Sequence, residues 1–550
     1  MRARVLATAA AAALAAGCYT PDKTLTSHGP LPLCTVAASA VSLGVGAYTA
    51  YDITADSGCA VIPTNASTTD SAEYLVVVQA GGGTPGDSAT LHVEADRAGG
   101  PLARVLAAAA PAAGRVHRSI QAAFERRLRG RARGVRAAAA VAPASGGRAA
   151  AAIVPPVAGS LRAFTVCANL DCSNYQPVTG RALAVGQHVA LYEDTLAPAN
   201  GFTATDIDSL EAVFDGRIYP LDTLAFGRES DVDSNGIVIV LLTNVVNRIV
   251  TSAQCDTGGY VTGFFDSADL DPATAAQHNH GEVFYGIVPD PAGALSCSHS
   301  TAEVDAILPT TFAHEFEHMV NFVQHVLVRG GDAEDDWLDE GLAKYAEELT
   351  ADSYLPADTA SWINDVFEDL YDAGQYLLAP QSHSLLTTTD QSFGDVGAGW
   401  LFVRYLVDQL GPGISRTLVE TALTGTGNVT QAAGLPFSTV VARWALATWV
   451  SDLPNFSPPG ELVYTSWSWR AVYAELYLQD PMAFPLPFPL VPASVSAGSL
   501  DLTGSLHAGS GLYLLVHQGP GGGPDTLHVN PGAAALPASL VPQFAVIRVH

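Results

Sequence analysis

Basic residues are scarce in this 550-residue chain, where 26 lysines and arginines stand against 54 acidic residues for a formal charge of −28. A surface so acidic repels nucleic acid and anionic membrane, and it suits an exported soluble domain. After the N-terminus no run stays apolar for the roughly 20 residues that a spanning helix requires. No two cysteines have the Cys-x-x-Cys spacing of a zinc knuckle or a dithiol redox centre. With 48% hydrophobic residues, the chain can nevertheless bury several cores.

The first residues are the exception to the missing apolar runs. Arg2 and Arg4 precede a short Ala/Leu-rich stretch that ends Leu14-Ala15-Ala16-Gly17-Cys18. A charged start and a short apolar run form an export signal, too short to span a bilayer. Small residues directly before a cysteine resemble the bacterial lipoprotein processing site. That resemblance implies a signal peptide over 1–17 and a lipid on Cys18, and Tyr19 in place of aspartate favours the outer membrane or cell surface. Six further cysteines, Cys34, Cys59, Cys167, Cys172, Cys255 and Cys297, are an even set that an exported chain uses as disulfides. Proximity favours Cys34–Cys59, Cys167–Cys172 and Cys255–Cys297.

The chemistry is concentrated in TTFAHEFEHMVN at 310–321. His314 and His318, four residues apart on a helix, lie on one face a turn from each other and can converge on one ion. Glu315 can reach a water on the open side of that ion without being a ligand. Pro309 and the threonines after it read as the helix start, and Phe312, Phe316, Met319 and Phe322 as its packing face. Gly330 and Gly331 then stop the chain, Asp335 and Asp336 cap a returning helix WLDEGLAKYAEEL, and Glu340 stands 22 residues after His318. Two histidines and a glutamate leave a fourth zinc position open, the mark of a catalytic rather than a structural site.

HEFEHMVNF, the glycine turn and WLDEGLAKYAEEL resemble the hyicolysin family of zinc metallopeptidases, within the zincins whose third ligand is glutamate. GRESDVDSNGIVIVLLTN at 227–244, GEVFYGIVPDP at 281–291 and GAGWLFVRYLVDQLG at 397–411 are similar to that family too. The resemblance implies zinc on His314, His318 and Glu340, Glu315 as catalytic base, and protein or peptide substrates. It also implies an α+β zincin domain over 161–455, with a β-rich upper half carrying the active helix above a helical lower half. Related zincins add a tyrosine or histidine donor, for which Tyr371, Tyr376, His383 and Tyr405 are candidates. Asp305, Asp339 and Glu347 are candidates to hold the zinc histidines, while Glu317 and His325 read as surface residues. Strand 282–288, just before the active helix, suits the zincin layout, in which an extended substrate pairs with an edge strand beside the metal; the sequence does not show which strand is the edge. A non-catalytic zinc-containing adhesion lipoprotein and a zinc hydrolase of cell-wall crosslinks are the rival readings of the same motif.

Around that domain the chain is uneven. Residues 18–60 read as a tether, 61–110 as a small β module, 111–160 as a basic helix and an Ala/Pro-rich linker, and 480–550 as a second β module. YLVVVQAGGGTPGDSATLHVE at 74–94 is a hairpin-like phrase that returns as YLLVHQGPGGGPDTLHVN at 513–530. Residues 115–136 hold eight of the 26 basic residues. Such a run forms a solvated face, docks on the acidic domain, or serves as a protease-sensitive link. Asp231, Asp233 and Asn235, followed by Gly236, resemble half of a calcium loop, although Leu242 stands where the loop's closing glutamate belongs.

Overall fold

The computed structural model describes residues 41–54, 58–97, 119–133, 135, 156–271, 273–274, 277–387, 392–495, 500–531 and 534–550. Its fold is α+β. Cys18 and Cys34, the signal and most of the tether lie outside the described residues.

Fifteen strands make three sheets. In chain order they are β1 (Tyr48–Asp52), β2 (Cys59–Ile62), β3 (Ala72–Ala80), β4 (Ser88–Arg97), β5 (Leu161–Cys167), β6 (Tyr175–Val185), β7 (Val189–Asp194), β8 (Val238–Leu242), β9 (Gly263–Phe265), β10 (Val283–Gly286), β11 (Ala493–Val495), β12 (Leu500–His507), β13 (Gly511–Gln518), β14 (Asp525–Val529) and β15 (Pro542–Arg548). The metal-motif helix is preceded by the strands of the six-stranded sheet, ordered β5-β6-β7-β8-β10-β9. β7, β8 and β10 run parallel. Parallel strands are covered on both faces, which is why β8 reads VIVLL with every residue buried. β9 closes the sheet antiparallel to β10. The edge beside the metal motif is therefore β9, and β10 is interior.

The active-site helix, Thr301–Phe322, follows β10. It begins two turns before the expected proline start. Ser300 caps it, with Glu303 completing a capping box, and Pro309 lies inside. The returning helix is Asp336–Asp352, followed by helices Thr359–Leu378 and Phe393–Leu410. The last packs closely on each of the other two because glycine replaces side chains at the crossings. A Cβ on Gly341 would lie 2.8 Å from the carbonyl oxygen of Gly399, and one on Gly397 would lie 2.2 Å from the backbone of Asp372.

The two flanking β segments are not separate modules. β3 pairs with β13 in a five-stranded sheet ordered β1-β15-β3-β13-β11, and β4 pairs with β14 in a four-stranded sheet ordered β12-β4-β14-β2. The two similar phrases thus each give one strand to each sheet, and β3 and β4 form no hairpin. Their relation is two-fold in register: Tyr74 faces Val516, and its counterpart Tyr513 faces Val77. The five-stranded sheet also carries helix Phe437–Val450, where Tyr513 donates to the Ala445 carbonyl at 3.0 Å and Gln79 to Val441 at 3.1 Å. Cover on that side explains why β3 is apolar in consecutive positions rather than alternating.

Candidate metal centre

His314, Glu315 and His318 lie on the active-site helix and Glu340 on the first turn of the returning helix, all four buried. Each imidazole is fixed from behind. His314 Nδ1 lies 2.7 Å from Glu347 Oε1, and His318 Nδ1 lies 3.1 Å from Asp339 Oδ2. A carboxylate only accepts, so Glu347 holds the proton on His314 Nδ1, and Asp339 faces the same nitrogen of His318. The two Nε2 atoms face each other 3.0 Å apart, and the Arg129 guanidinium lies 3.3 Å from that of His318. Glu340 oxygens lie 3.7 Å from His318 Nε2 and 3.9 Å from His314 Nε2. Four ligands at about 2.1 Å around a tetrahedral zinc stand roughly 3.4 Å from one another. The spacing and the two-histidine, one-carboxylate donor set fit a divalent cation.

Charge in this pocket is set by burial and by partners. Burial works to neutralise Glu340, but Arg129, His314 and His318 hold it down at about 2. Glu347 is likewise held at about 2 against burial, by Lys344 and by His314. Asp339 draws His318 up to about 10 against the same desolvation. Glu315 has no cation against its carboxylate, and burial pushes it up to about 7 despite the pull of His314. One of its oxygens accepts the Phe265 backbone N–H at 2.8 Å, which ties the glutamate to β9.

Of the other expected residues, some converge here and some do not. Glu347 and Asp339 hold the histidines, whereas Asp305 pairs with Asp206. Glu317 and His325 are fully buried rather than on the surface, because from Thr311 to Val326 every residue of the active-site helix and the turn after it is buried. Glu317 accepts from Asn321 at 3.1 Å, and His325 lies 3.7 Å from Glu334. Tyr376 stacks on Trp444 in the core, and Tyr405 donates to the Glu461 carbonyl at 2.8 Å. Neither lines the cavity of about 300 Å³ over the site, and neither do Tyr371 or His383. The tyrosine that does is Tyr260.

Asp231 and Asp233 are joined by Glu282, at the start of β10, which supplies in space the acid that the loop lacks in sequence. Asn235 spends its amide on Asp233, at 2.9 Å, and the Arg162 guanidinium lies 3.6 Å from the same carboxylate. Cys167–Cys172 and Cys255–Cys297 are both disulfides. Cys59 is also disulfide-bonded.

Sequence reasoning missed Gln121, Glu125 and Arg129 as members of the site. They belong to helix Ser119–Ala132, from the basic run, and Glu125 lines the cavity with His314 and Glu315. The available signal was the helical spacing of Phe124 with Leu128 and of Glu125 with Arg129 inside the basic run.

No family model matches the chain. It is 32% identical over 151 residues to the neutral metalloprotease ShpI of Staphylococcus hyicus, a stretch that covers 27% of this chain and 32% of that protein. The chain thus spans about a third of the length of the curated relative it matches.

Proposed function

We propose that this protein is a zinc endopeptidase with the zincin arrangement, in which His314, His318 and Glu340 hold the metal and Glu315 is the general base. The observation that carries this reading is the pair of imidazole Nε2 atoms 3.0 Å apart with Glu340 at tetrahedral spacing. Similarity to a neutral metalloprotease across part of the chain supports it.

Zinc at this position supplies Lewis acidity, which activates water and polarises a carbonyl near neutral pH. The chain's own groups do the rest. Glu315, poised near 7, takes a proton from water and returns it to the departing amine. The Phe265 N–H fixes the orientation of that carboxylate. An extended protein or peptide substrate adds alongside edge strand β9, which brings its carbonyl over the helix. Glu347 and Asp339 keep the imidazoles in the required tautomer.

Export and a lipid on Cys18, placing the enzyme at the cell envelope, complete the proposal. Palmitate labelling of the parent but not of Cys18→Ser tests the anchor. For the activity, the full chain is assayed for bound zinc and for casein cleavage with and without chelator, beside Glu315→Gln. Cleavage that chelator and the substitution both abolish, with zinc retained in the variant, is the expected result. Turnover by the variant equal to that of the parent overturns the assignment of the base.

A further inference from the structure

The cleft over the ligands already holds a segment of the same chain. Helix Ser119–Ala132 meets the site with residues at helical spacing: Gln121, Glu125 and Arg129, with Phe124 and Leu128 beside them. The Gln121 side-chain amide donates to the Gly263 carbonyl at 2.9 Å and accepts the Thr262 N–H at 2.9 Å. A backbone amide of an added strand would make that same pair of bonds with the edge at β9. One turn later the Glu125 carboxylate lies 3.8 Å from His314 Nε2, buried. After another turn, Arg129 is paired with Glu340 and lies 3.3 Å from His318 Nε2 and 3.6 Å from Asp336.

Resting on the peptidase reading, we propose that this helix is a built-in occupant of the substrate cleft, and that the Glu125 carboxylate takes the fourth position on the metal in the intact chain. Distance is the first support. The 3.8 Å from Glu125 to His314 falls within the 3.0 to 3.9 Å that separate the other ligand atoms, so Glu125 stands at ligand spacing from that imidazole. Burial is the second. Beside Phe124 and Leu128 this helix buries a glutamate and an arginine against the ligands while Arg127 faces solvent. Buried carboxylates need positive charge beside them: Arg129 pairs with Glu340, and Glu125 stands against His314. The third support is competition: Gln121 and a substrate need the same Thr262 and Gly263 groups, so one excludes the other.

The strands before this helix are hydrogen-bonded into sheets shared with β12 to β15.

The test uses the cobalt-substituted full chain, its Glu125→Gln variant, and a chain carrying a site-specific protease sequence inserted after residue 140 and cut in the folded state. Metal stoichiometry, the visible cobalt spectrum and the affinity for a fluorescent peptide hydroxamate are measured. If the helix is out in fewer than about one molecule in ten, the parent binds the hydroxamate at least roughly tenfold more weakly than the variant or the cut chain. The cobalt spectrum should also differ between parent and variant before any hydroxamate is added. Full metal occupancy with identical spectra and equal hydroxamate affinities in all three forms overturns the inference and leaves the peptidase reading standing. Absence of stoichiometric metal in all three overturns both. The cut chain decides the matter should Glu125→Gln fail to fold.

Discussion

A single oxygen of Glu347 lies 2.7 Å from His314 Nδ1 and 2.9 Å from the Lys344 ammonium. The lysine keeps the carboxylate ionised against full burial, and the ionised carboxylate keeps the proton on Nδ1. Lys344 is itself held by Asp369 at 3.1 Å. The orientation of His314 is thus set by a chain of side chains on two further helices.

Glu347→Gln should weaken that chain without removing a ligand. Metal affinity is expected to fall by about 10–100-fold. Competition with a chelator of known affinity measures it, and an unchanged constant would show that packing alone orients His314.

Glu340→Ala removes the third ligand and leaves Arg129 facing two imidazoles. The loss of affinity should exceed about 100-fold, beyond what the loss of an orienting partner costs. Stoichiometric zinc after dialysis would require that another carboxylate, with Glu125 the nearest at hand, has taken the place of Glu340.

Much of this site was legible in the residues, because it depends on local spacing. Helical periodicity puts His314 and His318 on one face, and Gly330 and Gly331 return the chain so that Glu340 arrives. The start of the active-site helix was legible too, through Ser300 and Glu303, but Pro309 drew the reading two turns too late. Glu317 and His325 were misplaced because polar residues on a helix ordinarily mark its solvated side, and here every residue from Thr311 to Val326 is buried. The pairing of β3 with β13 was beyond reach, since its partners lie more than 400 residues apart and similar phrases point equally to two independent hairpins. The same holds for Gln121, Glu125 and Arg129, whose contacts are with residues over 100 positions away.

Stability should depend on pH through Asp269, which lies outside the metal centre. Burial, and after it the neighbouring Asp266, pushes this carboxyl up to about 8. Tyr285 donates to it, and Asn279 donates through its backbone N–H at 2.9 Å and its amide at 3.0 Å. Asp266 is faced by Tyr175 at 2.7 Å and by Arg131 at 3.7 Å. The folded chain thus binds this proton more tightly than the unfolded one. Its contribution is full below the unfolded value near 3.8 and is lost as pH rises towards 8. Asp269→Asn should flatten the fall in denaturant midpoint between those limits, and parallel curves for parent and variant would count against it.

The close approach of Gly341 to helix Phe393–Leu410 makes the position beside the third ligand sensitive to a single methyl group. In Gly341→Ala the new carbon would lie 2.8 Å from Gly399 O and 2.9 Å from Val403 Cγ2. A carbonyl on a rigid helix cannot step aside, so the returning helix must move. Overpacking of this kind costs about 1–3 kcal/mol. Because Asp339, Glu340 and Glu347 ride on the same helix, metal affinity should fall together with the melting temperature. Gly216→Ala is the control, since a Cβ there meets nothing within 4 Å. It should change stability by less than about 0.5 kcal/mol. If Gly341→Ala lowers the melting temperature and leaves metal affinity untouched, the helix absorbs the shift without carrying it to Glu340, and the ligand geometry is held by the active-site helix alone.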